Sequence, residues 1–502
     1  MADFEYVPVV DVHQDNFRDI WPTIIHSVKT ATFISLDTEL SGLGDRKKLS
    51  ASSVDDRYKG ATETAKTRSL VSLGISCFTR LSPTTANGCH GDRYRVNTFN
   101  LILLCQQDYL VEPASLKFLV NHGFDFNKQY SKGIPYDRGT DKDGRSSYQS
   151  VRQLFVEILS SGRPLVFHNA FVDLIFLYEN LYATLPSAMS TFLADLTEMF
   201  VGGILDTKYV TDFHYRIPAS YLEYVFRKSQ RDNAKKWSRD ESAVHLQFPA
   251  YPKDHNHVHY SNCRLPENLR TSPGNETTEE KLTEIVCANY SAHGWCKKTV
   301  YCPKSHDIDL ILDLDSLVSS KKTRKRRRRN RKGATPDDME SDIPVTNVVN
   351  SNSAQNGQDR PSIEKTDEFP VSGDDLVSSL SNLSSPSSKR QHSSEESDMD
   401  MANVENGVKS EEDSTSKNSR CVGHRAGIDA FMTGFIMATY FSRHCGEQGK
   451  DFCFQDSVQE FQNKIYLTGK DIPLIISKSS FAKTSKDHRE KFSKLQKPME
   501  NC

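Results

Sequence analysis

Two acidic residues at the end of an apolar run are the feature that most constrains this chain. Residues 33–36 are mostly apolar and predict a short buried strand, and Asp37 and Glu39 follow at its end. Because side chains alternate along a strand, both carboxylates are expected on one face, with Thr38 on the other. Two like charges so close together call for a counter-charge, usually a hard divalent cation. Solvated strand ends also carry such pairs, so a catalytic site requires further acids.

The patterns along the rest of the chain predict an α/β fold with a mixed sheet. Apolar periodicity predicts a helix over residues 15–29, capped by Asp15, and a polar loop over 45–67. Strands over 70–78 and 97–104 are expected to form a hairpin or meander with the first strand. Helices then alternate with strands, which favours an α/β domain. The helical patterns cover residues 115–122, 147–160, 170–182, 188–201 and 220–228, and the short strands cover 164–167 and 204–209.

Two further acids stand where helices are predicted to begin. Asp173 falls in a first helical turn after a buried strand, with Asn169 as candidate N-cap, although an acid there could merely complement the helix dipole. Asp429 lies among apolar residues near the start of a buried helix, where an unpaired acid is costly, so a ligand or partner is expected. His424 cannot share a helical face with Asp429 at about 100° per residue, so we expect it on the entry loop of that helix.

These acids and their surroundings resemble the DEDDh ribonuclease superfamily, which has an RNase H-like fold. Within it, the chain is similar to the deadenylases related to poly(A)-specific ribonuclease and to the Caf1/Pop2 group. The phrases that carry the resemblance are GFDFNKQYSKGIPY over residues 123–136, ILDTKYV over 204–210 and HRAGIDAFMTGFIM over 424–437. The resemblance covers most of residues 1–230 and 420–480. With the zinc finger described below, it is nearest to nuclear deadenylases.

The resemblance implies a two-metal 3′-to-5′ exoribonuclease. Asp37, Glu39 and Asp429 would hold one Mg²⁺, and Asp37 with Asp173, directly or through water, would hold a second about 3.5–4 Å away. His424 would orient or deprotonate the attacking water. The implied substrates are single-stranded RNA 3′ ends, namely poly(A) and adenylated 3′ extensions of nuclear RNAs, including small nuclear RNA. Leu40 stands where relatives often carry Phe, so Leu40 and Leu43 are candidate base contacts.

Four residues with zinc-ligand spacing form a second predicted metal site. Cys287, Cys296, Cys302 and His306 match the CCCH zinc-finger family and provide a closed tetrahedral set for structural Zn²⁺. Three aromatic residues are interleaved with lysines there and are candidates to stack on RNA bases. The alternatives are that these rings only pack the small domain, or that the finger docks a protein partner. The three aromatic candidates are Tyr290, Trp295 and Tyr301.

Charge is unevenly distributed behind a formal net charge of −2. Ten of the twelve residues over 321–332 are basic, which predicts a nuclear localisation signal, whereas residues 333–420 carry 18 acidic and 7 basic side chains. That serine-rich segment has too few apolar residues for a core, so we expect disorder. No signal-peptide pattern or membrane-span run occurs, and eleven scattered cysteines fit a reducing compartment. We therefore expect a nuclear protein, with nucleolus, Cajal bodies or speckles implied by resemblance, without membrane partners.

The predicted organisation is a discontinuous exonuclease domain. Its first part covers residues 1–232 and its second part 421–480. The finger (281–308), the basic block (321–332) and the acidic linker (333–420) interrupt it, and a flexible tail covers 481–502. Nuclear-body proteins are candidate partners. The alternatives are an RNA-binding adaptor with an inactive nuclease fold, disfavoured by the full set of acids, and a DNA proofreading exonuclease, disfavoured by the finger and the poly(A)-nuclease phrases.

Overall fold

One mixed sheet organises the part of the chain that the structure describes. This computed structural model describes residues 4–81, 91–139, 149–252, 255–266, 278–332, 425–448 and 454–495. The predicted position of His424 and the predicted disorder of residues 333–420 lie outside these ranges. Among the described helices, none combines the length and the apolar character needed to cross a membrane.

The strands and helices alternate along most of the chain. The strands are β1 (Tyr6–Val12), β2 (Phe33–Leu40), β3 (Leu70–Arg80), β4 (Arg93–Cys105), β5 (Ile134–Tyr136), β6 (Leu165–Phe167), β7 (Ile204–Asp206), β8 (His245–Gln247), β9 (Val258–Asn262), β10 (Lys464–Ile465) and β11 (Leu474–Ile475). The first eight helices in chain order are α1 (Phe17–Thr30), α2 (Arg46–Leu49), α3 (Val54–Thr67), α4 (Pro113–Asn121), α5 (Phe126–Lys132), α6 (Val151–Ser160), α7 (Phe171–Leu177) and α8 (Met189–Met199). The remaining helices are α9 (Thr207–Tyr209), α10 (Leu222–Ser238), α11 (Glu279–Ile285), α12 (Ala288–His293), α13 (Ile308–Lys332), α14 (Ala426–Gln448), α15 (Phe454–Phe461) and α16 (Lys486–Leu495). Two π-helical turns (Tyr178–Tyr182 and Val210–Tyr215) and a 3₁₀ turn (Thr299–Tyr301) complete the described elements.

The sheet has the mixed topology that the sequence predicts. Its order is β11-β10-β7-β6-β2-β3-β4-β1-β9, with β5 and β8 paired to β4. Strands β2, β3 and β4 form an antiparallel meander, whereas β2 runs parallel to β6, and β6 parallel to β7. The acid-bearing β2 therefore lies in the interior of the sheet, beside β6, whose following helix carries Asp173. The predicted mixed α/β fold is confirmed.

Two apolar cores cover the two faces of this sheet. Ile34 and Leu36 face a core built with α1, α3, α6 and α7. Phe33 faces the opposite core, built with α10 and α14, where its ring stacks on Phe78 at 4.9 Å. The alternation expected of β2 is therefore present. It directs Asp37 and Glu39 toward the α14 side of the sheet.

Helix α14 brings the chain back onto the sheet after the long insertion. A Cβ atom at Gly74 of β3 would lie 1.8 Å from the carbonyl oxygen of Ala426, and one at Gly434 would lie 2.1 Å from the ring of Phe78. Glycine at these two positions thus permits the close approach of helix and sheet. This packing makes α14 part of the same domain as β2 and β3.

Several sequence-based expectations need correction. Residues 45–67, predicted as a loop, form α2 and α3, which the side chains of Asp45 and Ser53 cap. The apolar face of α3 is easily missed because it consists largely of alanine and glycine around one buried ring, Tyr58. Asp15 does not cap α1; Asn16 precedes that helix without a capping bond, and Asp15 instead pairs with Lys132 at 2.9 Å.

The borders of the predicted domains also differ from the structure. Helix α10 continues beyond residue 232 to Ser238, and β8 and β9 then pair with β4 and β1, so the first part of the domain extends to about residue 262. The flexible tail predicted over residues 481–502 is wrong for α16. His488 of that helix is fully buried and contacts the Tyr182 hydroxyl and the Glu198 carboxylate.

Candidate active site

Three carboxylates from two distant parts of the chain meet at the end of β2. Asp37 and Glu39 lie on β2, and Asp429 lies in the first turn of α14, 4% exposed. One carboxylate oxygen from each residue lies within 4.8 Å of those of the other two. Hard divalent cations prefer such oxygen ligands, so these residues fit a Mg²⁺ site.

The raised pKa of Asp37 also indicates a cation site. Its pKa is raised well above the usual range, first by burial and then by the charges of Asp429, Glu39 and Asp173. A carboxyl group surrounded by three others is unfavourable when ionised, and a bound divalent cation would remove that penalty. The cluster therefore has the character of a cation site rather than of an ordinary solvated strand end.

The fourth acid reaches the site from α7, on the other side of β2. Thr38, between the two acids of β2, donates a hydrogen bond of 2.5 Å to Oδ1 of Asp173. Burial raises the pKa of Asp173 to about 7, although the Thr38 bond acts in the opposite direction. Since Asp173 also raises the pKa of Asp37, all four acids predicted from the sequence belong to one electrostatic cluster.

Asp206 fixes the start of α7, although the sequence patterns do not indicate this residue as part of the site. The predicted N-cap, Asn169, makes no side-chain capping bond; it has a left-handed φ of 70°, and α7 starts after Ala170. Instead, the carboxylate of Asp206, at the end of β7, accepts the backbone N–H groups of Asn169 (2.9 Å) and Ala170 (3.2 Å). It also accepts the N–H of Tyr466 at 2.9 Å. Asp206 is fully buried and joins β7, α7 and the segment after β10.

Helix α14 is anchored close to Asp429 by a buried polar network. Arg425 donates to Oδ1 of Asp11, which also accepts the side-chain amide of Asn100 at 3.2 Å. Asn100 in turn accepts the backbone N–H of Gly427 at 3.1 Å. Asp11 has its pKa lowered despite burial, because the Arg425 and Lys128 charges favour its ionised form. The network positions the start of α14 relative to β1 and β4.

The two leucines proposed to contact a base lie in different surroundings. Leu40 is only 9% exposed and packs in the core, which argues against direct contact with RNA. Leu43 is 39% exposed on the loop that follows β2. Glu112 holds that loop by accepting the backbone N–H groups of Leu43 (3.1 Å) and Gly44 (2.7 Å). Leu43 is therefore the accessible member of the pair.

The predicted finger residues also come together. One ligand atom from each of Cys287, Cys296, Cys302 and His306 lies within 4.8 Å of the others. Three thiolates and one imidazole are a donor set that suits structural Zn²⁺, so the cluster is compatible with the zinc finger that the spacing predicts.

The aromatic residues of the finger differ in accessibility. Tyr301 is 87% exposed, and Trp295 is half-buried. The ring of Tyr290 instead stacks on His306 at 4.3 Å, and its hydroxyl donates to Glu223 of α10 at 3.1 Å. Tyr290 thus helps to attach the finger to α10, and Tyr301 is the most accessible of the three rings predicted to contact RNA.

Comparison with known proteins gives a match over most of the chain. The family described as CAF1 family ribonuclease matches residues 12–149 and 137–437, ranges that include all four acids. An uncharacterized protein of Schizosaccharomyces pombe is 30% identical over 131 residues, which cover 25% of this chain and 30% of that protein. Poly(A)-specific ribonuclease PARN of Xenopus laevis is 26% identical over 157 residues, which cover 28% of this chain and 24% of that protein.

A comparison of structures gives a weaker likeness. The structure of Pop2p from Schizosaccharomyces pombe, in its Mg²⁺ and Mn²⁺ bound form, covers 45% of this chain and 82% of its own. The sequence identity is 17% and the TM-score 0.34. The chain spans less than a third of the length of the two curated relatives, 30% and 24%.

Proposed function

The chain belongs to the CAF1 family of ribonucleases, and from this premise we propose that it is a 3′-to-5′ exoribonuclease acting on adenylated RNA. Its substrates are poly(A) tails and adenylated 3′ extensions of nuclear RNAs, small nuclear RNAs included. The name of the PARN relative supports poly(A) as the substrate class. The basic residues over 321–332 support a nuclear location.

The observation that carries the proposal is the cluster of four acids around the end of β2. Asp37, Glu39 and Asp429 would hold one Mg²⁺, and Asp37 with Asp173, directly or through water, would hold a second. When bound, two such ions neutralise charge on the phosphate and stabilise the attacking and leaving oxygens of an in-line displacement. The raised pKa of Asp37 supports this assignment, because its carboxylate needs a compensating positive charge.

The protein's own residues supply position and proton transfer. Thr38 orients Asp173, and Asp206 fixes the helix that carries it. The Arg425–Asp11 ion pair holds the start of α14, and with it Asp429. His424 immediately precedes Arg425 in the sequence, and we assign it the role of orienting or deprotonating the attacking water.

The finger is proposed to bind the RNA upstream of its 3′ end, with Zn²⁺ as its structural ion. Tyr301 is the ring best placed to stack on a base, because 87% of it is exposed. Lys297, Lys298 and Lys304 lie in the same small domain and provide positive charge for the phosphates.

The direct test compares two RNAs that differ only in their 3′ ends. Purified protein is incubated with Mg²⁺ and with one RNA that ends in adenosines or one with a non-adenylated end of equal length. Release of mononucleotides from the 3′ end, faster from the adenylated RNA and abolished by EDTA, is expected. RNA binding without hydrolysis would favour the alternative, an RNA-binding adaptor, and equal rates on both RNAs would refute the adenine preference.

Tyr301→Ala tests the role of the finger separately. We expect weaker binding of long RNA, roughly tenfold, because loss of one base–aromatic stack costs about 1–3 kcal/mol. Hydrolysis of a very short oligoadenylate should be unchanged, since it reaches only the nuclease site. Tyr130→Ala is a matched control, because Tyr130 is also exposed, at 59%, but lies on α5. Equal effects of the two substitutions would argue against RNA binding by the finger.

A further inference from the structure

Two histidines and a glutamate form a third cluster of metal-ligand type, away from both predicted metal sites. His214 lies in the π-helical turn Val210–Tyr215, His444 near the end of α14, and Glu460 at the end of α15. One ligand atom from each lies within 4.8 Å of those of the other two. From this geometry we propose that the three side chains bind a Zn²⁺ ion that joins these three elements.

The distances already approach those of a zinc site. Nδ1 of His214 lies 3.3 Å from Oε1 of Glu460, and Nε2 of His444 lies 3.1 Å from Oε2. Ligand atoms about 2.0–2.1 Å from a tetrahedral Zn²⁺ are about 3.3 Å from one another. Both histidine–carboxylate distances are therefore close to the separation between ligand atoms of a Zn²⁺ site.

The chemistry of the three ligands favours Zn²⁺ over Mg²⁺. Two imidazoles and one carboxylate are borderline nitrogen and oxygen donors, which suit Zn²⁺ better than Mg²⁺, whose preferred ligands are all oxygen. Three protein ligands leave the fourth position of a tetrahedral Zn²⁺ to a water molecule. The Glu460 side chain is 41% exposed, so solvent reaches the cluster on the side of this residue.

The surroundings hold the two rings in place. The ring of Phe461 contacts His214 edge-on at 5.0 Å and His444 at 5.1 Å. The Tyr215 ring packs against His214 at 4.6 Å. His444 is only 5% exposed. These contacts keep both imidazoles directed at the same carboxylate, which lowers the entropic cost of binding an ion.

This site is distinct from the acids of the nuclease site. His444 follows Asp429 by fifteen residues on the same helix, which corresponds to about 22 Å along its axis at 1.5 Å per residue. Its role would be structural, because the three ligands tie the far end of α14 to the first part of the nuclease domain through His214, and to α15 through Glu460. Such a connection compensates for the long insertion that separates the two parts.

Zinc content of the full chain tests the proposal. The protein is loaded with Zn²⁺ in excess Mg²⁺, dialysed against Mg²⁺ and measured by elemental analysis. We expect two equivalents of zinc for the unmodified protein and one for Glu460→Gln, which keeps the size and exposure of the side chain but removes its charge. Cys302→Ser should also retain one, and the double variant none. His26→Ala, at an exposed histidine of α1, is the matched control and should retain two.

Two further readouts separate a zinc site from a hydrogen-bonded cluster. Zinc should raise the melting temperature of Cys302→Ser but not that of the double variant, because only the former retains the proposed site. Glu460→Gln should keep Mg²⁺-dependent nuclease activity, which shows that it folds. If Glu460→Gln binds as much zinc as the unmodified protein, or if Cys302→Ser binds none, the three residues form only hydrogen bonds and the proposal is wrong.

Discussion

The hydroxyl of Thr38 donates a hydrogen bond of 2.5 Å to the carboxylate of Asp173, so the residue between two acids of β2 holds a third acid on α7. Asp37 and Glu39 face α14, and Thr38 faces the other way, toward α7. The segment 37–39 of β2 thus meets Asp429 on one face of the sheet and Asp173 on the other. The relative position of the four acids therefore depends on the alternation of side chains along β2.

Thr38→Val should lower the rate of RNA hydrolysis while leaving RNA binding intact. Valine has nearly the same shape but cannot donate to Asp173, and a hydrogen bond to a charged group contributes about 1.5–3 kcal/mol, which corresponds to roughly a tenfold to hundredfold loss in kcat. Thr38→Ser, which retains the hydroxyl, is the control and should stay within a few-fold of the unmodified enzyme. Equal losses in both variants would mean that the methyl group, not the hydrogen bond, matters.

Asp37→Asn should abolish activity and stabilise the metal-free protein. Activity should fall about a hundredfold or more, because a ligand shared by both proposed ions is lost, and such ions contribute several kcal/mol. Burial and three neighbouring acids raise the pKa of Asp37, so its ionisation costs folding free energy once the pH exceeds the unfolded value of about 3.9. Removing that charge should raise the melting temperature in EDTA at pH 7, by roughly 2–4 °C per kcal/mol relieved.

The experiment compares melting curves with and without Mg²⁺. Mg²⁺ should stabilise the unmodified protein more than Asp37→Asn, since the variant binds the ion less well. Asp19→Asn, at an acid in the first turn of α1, is a control that should change neither activity nor the effect of Mg²⁺. A variant that is less stable in EDTA would show that Asp37 has a structural role instead of a charge penalty.

Local patterns indicate the four acids only as candidates, and the resemblance to DEDDh ribonucleases is what joins them in one predicted site. The alternation on β2 and the apolar surroundings of Asp429 are properties of short segments, and they led to the residues that the structure brings together. The mixed sheet followed from the order of the predicted strands and helices in the same way. The proposed roles of these residues remain predictions.

What the sequence could not indicate depends on contacts between distant segments. The sequence places Asp206 only in a predicted strand, because its function as a cap for α7 requires β7 to lie beside β6. Likewise His214, His444 and Glu460 have no common spacing, and only the packing of three elements brings them together. Strand β1 is not among the predicted strands, although residues 6–12 are mostly apolar and such a run is a signal for a strand.

The stability of the folded protein should decrease as the pH falls below about 6.5, in part because of His168. Burial lowers the pKa of this histidine to about 3, and both ring nitrogens are engaged, with Thr207 Oγ1 and the Ser220 carbonyl oxygen, each at 2.8 Å. A pKa below the unfolded value of about 6.5 means that the contribution is complete above pH 6.5 and is lost toward pH 3. At pH 5 the loss is at most about 2 kcal/mol.

Urea unfolding of the unmodified protein and of His168→Gln, at pH 7.5 and 5.0, measures this contribution. The variant should be less stable at pH 7.5, but its stability should depend less on pH. His26→Gln, at an exposed histidine, should retain the full dependence. An unchanged pH dependence in His168→Gln would show that other groups determine the acid sensitivity.

The last prediction concerns the discontinuous nuclease domain. Asp429 lies with Asp37 and Glu39, although the finger, the basic block and residues 333–420 separate them in sequence. Replacing residues 337–416 by a short Gly/Ser linker should preserve Mg²⁺-dependent hydrolysis, because each twofold change in loop length alters the closure free energy by only about 0.6 kcal/mol. Ending the chain at Arg420 should abolish hydrolysis, although Asp37, Glu39, Asp173 and the finger remain, because α14 also packs on β2 and β3. An active chain ending at Arg420 would exclude Asp429 and His424 from the catalytic site.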